Sequence, residues 1–168
     1  FTINNPERVG YEFKGWQGTG IQGRDYKLLI KTNNAGDRTY TAVWEAKTYD
    51  IEFKPGSHGS ITDSGGSTNS SYTAYRQYNT GFPEFNTDTS LDGQTLTAEA
   101  GYTFAGWKDE NGNAPGAKVT GNASYTAQWT ANTNTAYKVQ FLSQNNSGTV
   151  VSFDVIRKEA SKTGTTDA

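Results

Sequence analysis

Cysteine and methionine are both absent from the 168 residues, histidine occurs once, and proline only four times. Without a thiol there is no disulfide, no thiolate metal site and no cysteine nucleophile. Without methionine, residue 1 is not an initiator, and the chain is expected to be a processed or excised piece. No apolar run approaches 18 residues and no cleavable leader is present, so no membrane span is expected; a signal or anchor would lie outside these residues. Excess charge is missing too. Fifteen basic residues face 17 acidic ones for a formal charge of −2, with no Lys/Arg run and no aromatic–basic stripe, so the electrostatic footprint of a nucleic-acid binder is lacking.

Aromatic residues and turn formers are what the chain has. Four Trp, ten Tyr and eight Phe stand among 19 Gly and abundant Thr, Ser and Asn, a β-rich composition with many turns. A mildly acidic, cysteine-free chain rich in Thr, Asn, Gly and Tyr fits a protein that works outside the cell.

The aromatics recur in order. Gly10-Tyr11-Glu12-Phe13-Lys14-Gly15-Trp16 returns as Gly101-Tyr102-Thr103-Phe104-Ala105-Gly106-Trp107. Tyr40-Thr41-Ala42-Val43-Trp44 returns as Tyr125-Thr126-Ala127-Gln128-Trp129. An alternating strand pattern with Tyr49, Ile51 and Phe53 returns with Tyr137, Val139 and Phe141. The chain is therefore a repeat protein, and repeats point to architecture before catalysis. The order strand, first motif, second motif is complete only once. Residues 47–131 make one whole unit, residues 1–46 hold only the C-terminal half of a unit, and residues 132–168 hold only the N-terminal half.

Local reading supplies more detail. Turn chemistry at Asn145-Asn146-Ser147-Gly148, followed by Val151, Phe153 and Val155 in alternation, predicts a β-hairpin over Tyr137 to Arg157. Residues 63–71 read as a long surface loop, and residues 17–37 as a variable segment with either a strand or a short helix near Leu28. Trp16 falls on the opposite parity from Tyr11, Phe13 and Gly15, so either the strand bulges at Gly15 or Trp16 caps another edge of the core; Gly106 stands in the same place in the second copy.

G-Y-x-F-x-G-W followed by Y-T-A-x-W resembles the Listeria-Bacteroides repeat, a family similar to the B-repeat of internalins and found in bacterial surface proteins. Asn5-Pro6-Glu7-Arg8-Val9-Gly10 is similar to the family's Pro-containing approach to the signature, whereas Thr97-Ala98-Glu99-Ala100-Gly101 lacks the Pro. The resemblance implies mainly β, β-grasp-like α+β repeats, each a mixed sheet curled on a short helical turn. It also implies a stalk, adhesin or filament module at the bacterial cell surface or outside the cell. An insertion from about Gly65 to Thr95 departs from the compact family pattern.

In a unit of about 80 residues without disulfides, large side chains must supply the core. Tyr49, Ile51, Phe53, Tyr102, Phe104, Trp107, Tyr125 and Trp129 are the expected core of the central unit. A sugar-stacking platform would instead need exposed Trp faces.

Candidate chemistry is sparse. His58 sits in a Gly/Ser turn with no acidic or nucleophilic partner in a recognisable arrangement, and no catalytic residue or cofactor is proposed. Asp88, Ser90, Asp92 and Glu99 match positions 1, 3, 5 and 12 of a calcium loop, with Gly93 at position 6, but a Leu91-Asp92-Gly93-Gln94 turn explains the same residues. Asp109 to Asn113 reads as a hairpin turn. Three Asn-x-Ser triplets, at Asn69, Asn122 and Asn145, mark surface loops.

The expected partners are copies of the chain arranged head-to-tail, or adjacent repeats of a longer chain. In such an assembly Tyr137, Val139, Phe141, Val151 and Phe153 of one copy meet Tyr11, Phe13 and Trp44 of the next. A host protein or a glycan is the alternative ligand.

Overall fold

The structure is a computed structural model that describes residues 2–31 and 36–133 together with the backbone of segments 135–137, 142–144, 150–152 and 162–164. The described residues hold these strands in chain order: β1 Thr2–Ile3, β2 Tyr11–Gly18, β3 Leu28–Leu29, β4 Tyr40–Ala46, β5 Thr48–Lys54, β6 Gly59–Thr62, β7 Thr68–Asn69 and β8 Tyr72–Gln77, then β9 Thr95–Ala98, β10 Tyr102–Lys108, β11 Ala123–Ala131, β12 Thr135–Tyr137, β13 Leu142–Gln144, β14 Val150–Ser152 and β15 Lys162–Gly164. The fold is mainly β.

The central unit is built on a four-stranded sheet in the order β10-β11-β5-β8. Its two inner strands, β5 and β11, run parallel with Phe53 opposite Tyr125, and each is flanked by an antiparallel neighbour. The first and last strands of the unit thus lie side by side. The short helical turn that the family resemblance implies does not occur among the described residues. A three-stranded sheet, β7-β6-β9, and an irregular segment over residues 78–94 are found instead. That segment carries Phe85 and Leu91, and with Thr, Asn, Pro and Gly throughout it has neither the periodicity nor the propensity of a helix.

Alternation along β5 decides where the core lies. Ile51 and Phe53 are 1% and 0% exposed, and they meet Ile61 and Leu96 from the smaller sheet, Ala74 from β8, and Trp107 and Ala127 from β10 and β11 of their own sheet. Phe53 is the hub. Its ring lies edge-on to Trp107 at 4.7 Å, Phe85 at 5.3 Å and Phe82 at 5.9 Å, the arrangement aromatic quadrupoles favour. Burying side chains of this size contributes roughly 1.5–3 kcal/mol each.

Of the expected core, Ile51, Phe53 and Trp107 are buried, while Tyr49, Phe104, Tyr125 and Trp129 pack against the cluster from its rim. Tyr102 corrects the expectation. It stacks on His58, with ring centroids 3.8 Å apart, and lies outside the cluster.

Residues 63–71 also differ from expectation. The long loop is a tight β6–β7 hairpin closed by Asp63, whose Oδ1 accepts the backbone N–H groups of Gly65 and Ser67, each at 2.9 Å. Near Leu28 the open choice resolves to a strand of two residues, paired with Thr2–Ile3.

Bulges interrupt both copies of the first motif. The β2–β4 register shifts between Phe13 and Trp16, and the β10–β11 register shifts between Phe104 and Gly106. Gly15 and Gly106 have φ of +108° and +115°, a region that side-chain-bearing residues avoid, and the kink turns each Trp onto the face its parity denies it.

In the C-terminal region, β13 pairs antiparallel with β14, as the predicted hairpin requires. Tyr137 pairs instead with Lys162, through β12 and β15. Val139, Phe141 and Phe153 lie outside the described residues.

Candidate functional site

The two copies of the signature build the same local structure. In each, a backbone turn precedes the first strand, with Tyr11 N donating to Arg8 O at 3.0 Å and Tyr102 N to Glu99 O at 3.1 Å. Gly10 and Gly101, with φ of +75° and +91°, supply the left-handed position of that turn, so it forms with or without the preceding Pro. The glycine carbonyl then accepts the N–H of the residue just beyond the closing strand, Lys47 at 2.9 Å in one copy and Asn132 at 2.7 Å in the other.

The aromatic clusters match as closely. Phe13 lies 5.5 Å from Trp16 and 5.6 Å from Trp44; Phe104 lies 5.4 Å from Trp107 and 5.5 Å from Trp129, all four pairs edge-on. The copies differ in what covers them. On the second, β5 pairs with the outer edge of β11, Phe53 rests on Trp107, Phe85 stacks on the same indole, and the Trp107 and Trp129 N–H groups donate to the carbonyls of Phe85 and Pro55 at 2.6 and 2.7 Å.

On the first copy the corresponding places are open. Strands β2 and β4 form a two-stranded sheet, and among the described residues no strand pairs with the outer edge of β4. Phe13, Trp16 and Trp44 are half-buried, with Tyr26 placed edge-on to Phe13 at 6.3 Å. An open groove of about 610 Å³ runs beside Phe13 and Trp44, lined also by Pro6, Arg8, Val9 and Tyr11, and Val9 is 82% exposed. Elsewhere in this half-unit Trp16 Nε1 and Arg38 Nε are buried with no hydrogen-bond partner among the described residues. Buried donors of this kind normally find an acceptor.

Tyr78 joins the first half-unit to the central unit. Its ring lies edge-on between Tyr11 at 5.5 Å and Tyr49 at 6.4 Å and presses directly on Gly10, where an added Cβ would come within 2.2 Å of it. Its backbone N–H donates to Lys47 O at 2.8 Å. Arg8 covers the other side of the joint, with its guanidinium 3.9 Å from the Tyr11 ring centroid.

The polar candidates are engaged in separate local structures. Asp92 Oδ2 accepts the Tyr72 hydroxyl at 2.5 Å and the Arg76 guanidinium at 2.8 Å; these two donors hold its carboxyl below the usual range, while burial and the adjacent carboxylate push the Tyr72 phenol up. Asp92 also sits in the expected turn. Leu91 and Gln94 exchange backbone hydrogen bonds across Asp92 and Gly93, whose φ values of +50° and +80° are those of a type I′ turn. Glu99 pairs with His58 Nδ1 at 2.9 Å, so His58 does have an acidic partner, one brought from 41 residues away by the β6–β9 pairing. Asp88 donates its backbone N–H to Asn86 Oδ1. Among the described residues no three His, Asp or Glu side chains converge as a metal site would require. Asp109 closes the expected turn, accepting the N–H groups of Asn111 and Asn113 on Oδ1, and these donors lower its carboxyl.

Sequence reasoning missed the packing role of Ile61, Ala74, Phe85, Leu91, Leu96 and Val119, all buried. Alternation over Tyr72–Gln77 could have revealed β8; the loop residues Phe85, Leu91 and Val119 carry no periodic signal.

Residues 79–133 match the family model described as the divergent InlB B-repeat domain. The match begins after β8 and covers β9, β10 and β11, the strands that carry the second copy of both motifs. No curated protein and no solved structure matches the chain. No described helix is long and apolar enough to cross a membrane.

Proposed function

We propose, taking the match of residues 79–133 to the divergent InlB B-repeat as premise, that the chain is a non-enzymatic structural segment of a bacterial cell-surface or extracellular protein. Its repeats serve as a stalk that spaces an adhesive or anchoring part from its neighbour, or as the subunit of a filament. One observation carries this reading: in both copies of the signature the Phe ring packs edge-on against its own Trp, and in the second copy Trp107 is 7% exposed with its N–H bonded internally. A repeated motif whose conspicuous residues face inward specifies a unit to be stacked.

Surface shaving tests it. Brief protease treatment of intact cells that produce the protein should release peptides of this chain while a cytosolic marker stays inside. Release only after lysis would overturn the location and the stalk role together.

The half-buried Phe13 and Trp44 lining an open groove support a second reading, an adhesin module for a glycan or a host protein. Tryptophan emission separates the two. A glycan platform would be quenched readily and shift with added polysaccharide, whereas a packing cluster would do neither.

A further inference from the structure

We infer that the outer edge of β4, with the face of Phe13, Trp16 and Trp44, is the receptor for one strand of a second copy of this chain, the segment Tyr137 to Leu142. The inference rests on the structural-repeat reading and deepens it by naming the partner and the register.

The argument is a comparison of the molecule with itself. In the central unit the edge of β11 is filled by β5 in parallel, with Ala123 opposite Ile51, Ser124 opposite Glu52, Tyr125 opposite Phe53 and Thr126 opposite Lys54. The repeated motifs carry those positions onto β4 as Arg38, Thr39, Tyr40 and Thr41. The front-strand pattern Tyr49, Ile51, Phe53 occurs once more in the chain, as Tyr137, Val139, Phe141. The docked register therefore sets Val139 opposite Arg38, Gln140 opposite Thr39, Phe141 opposite Tyr40 and Leu142 opposite Thr41. Phe141 then lands on Trp16 as Phe53 lands on Trp107, and alternation keeps Val139 and Phe141 on the aromatic face.

Two buried donors of this half-unit lack an acceptor among the described residues. Trp16 Nε1 is buried without an acceptor, whereas its counterpart Trp107 Nε1 has the Phe85 carbonyl; and Arg38 Nε, at the head of the same edge, is also buried and unpaired. An incoming strand brings backbone carbonyls to this edge. It also pairs the bare N–H and C=O groups of β4, the mode by which extended segments add to open sheets.

Chain geometry favours another copy over the same chain. Because β5 and β11 are parallel, β11 continues eight residues past the level of Ile51, roughly 26 Å, to Ala131, while Lys47 and β4 lie on the other side of Ile51. The tether from Asn132 to Ala136 spans at most about 18 Å. The strand is thus delivered at the pole opposite its own receptor, which makes the contact head-to-tail and open-ended.

The absence of cysteine makes the register directly readable. Ser124 and Glu52 touch across the sister pair at 2.7 Å, so their counterparts Thr39 and Gln140 should also be adjacent. Full-length Thr39→Cys and Gln140→Cys chains, mixed and treated with a short bis-maleimide, should give a covalent heterodimer at least tenfold above a mixture of Thr39→Cys with the out-of-register Lys162→Cys. Adding Phe141→Asp to the Gln140→Cys chain should remove it. A yield no higher than the Lys162→Cys control would overturn the inference. So would a Thr39→Cys/Gln140→Cys double variant that closes within one chain at high dilution. Either failure leaves the surface-shaving result untouched, so the loss of this contact and the loss of the structural-segment reading are distinguishable.

Discussion

Trp107 donates its buried indole N–H to the carbonyl of Phe85 at 2.6 Å, across 22 residues of sequence, and that bond ties the irregular segment over residues 78–94 to the core. Phe85 in turn stacks on the same ring at 5.7 Å. Trp107→Ala should therefore cost about 3–5 kcal/mol, the range of a truncated core Trp, read as a fall in the denaturant midpoint. Trp107→Phe should cost about 1–3 kcal/mol because the Phe85 carbonyl loses its donor. Trp16→Phe in the isolated chain should cost less than Trp107→Phe, since the Trp16 N–H has no partner to lose. Equal costs would refute the asymmetry between the two copies.

Gly10→Ala tests the joint. A methyl group there meets the Tyr78 ring at 2.2 Å, and the φ of +75° adds about 1–2 kcal/mol of backbone strain. The first half-unit should melt ahead of the central unit in the variant. A single unchanged transition would mean that Tyr78 couples nothing.

Acid should weaken the central unit through Asp92. The Tyr72 and Arg76 hydrogen bonds lower its folded-state pKa, so its contribution is complete above the unfolded value near pH 4 and is lost as pH falls through the lower folded value. Asp92→Asn keeps a residue that tolerates the positive φ and should flatten the loss of stability below about pH 4. The side chain is 47% exposed, so the effect should be modest. An acid limb identical to that of the unsubstituted protein would remove Asp92 from it.

Limited proteolysis with chymotrypsin should cut at Tyr26 before any site in β10 or β11. Tyr26 is 59% exposed in a stretch with few backbone hydrogen bonds, whereas β10 pairs with β11 and Tyr125 of β11 is paired with Phe53 of β5. Early cleavage at Tyr125 would contradict the sheet order.

Much of the strand map was legible because alternation and a repeated aromatic spacing are local properties. Tyr11 to Trp16 and Tyr102 to Trp107 announced strands and narrowed the parity of Trp16 to two solutions, of which the structure takes the bulge. The turn at Asp92-Gly93 was legible for the same reason. His58 was misread because its partner Glu99 is near only after β6 and β9 pair, and Tyr102 was misplaced because that same pairing brings His58 under its ring.

The sequence by itself determined the class, the repeat, several of the turns and the buried trio Ile51, Phe53 and Trp107, because each follows from side-chain period, glycine position or composition within a few residues. Only the tertiary structure decided which sheet each strand joins, that Phe85, Leu91 and Val119 fill the core from loops, and that β11 has a parallel partner while β4 has none among the described residues. Those outcomes depend on contacts between segments tens of residues apart. Their energy comes from burying complementary surfaces, and no local pattern of residues records which surface will meet which.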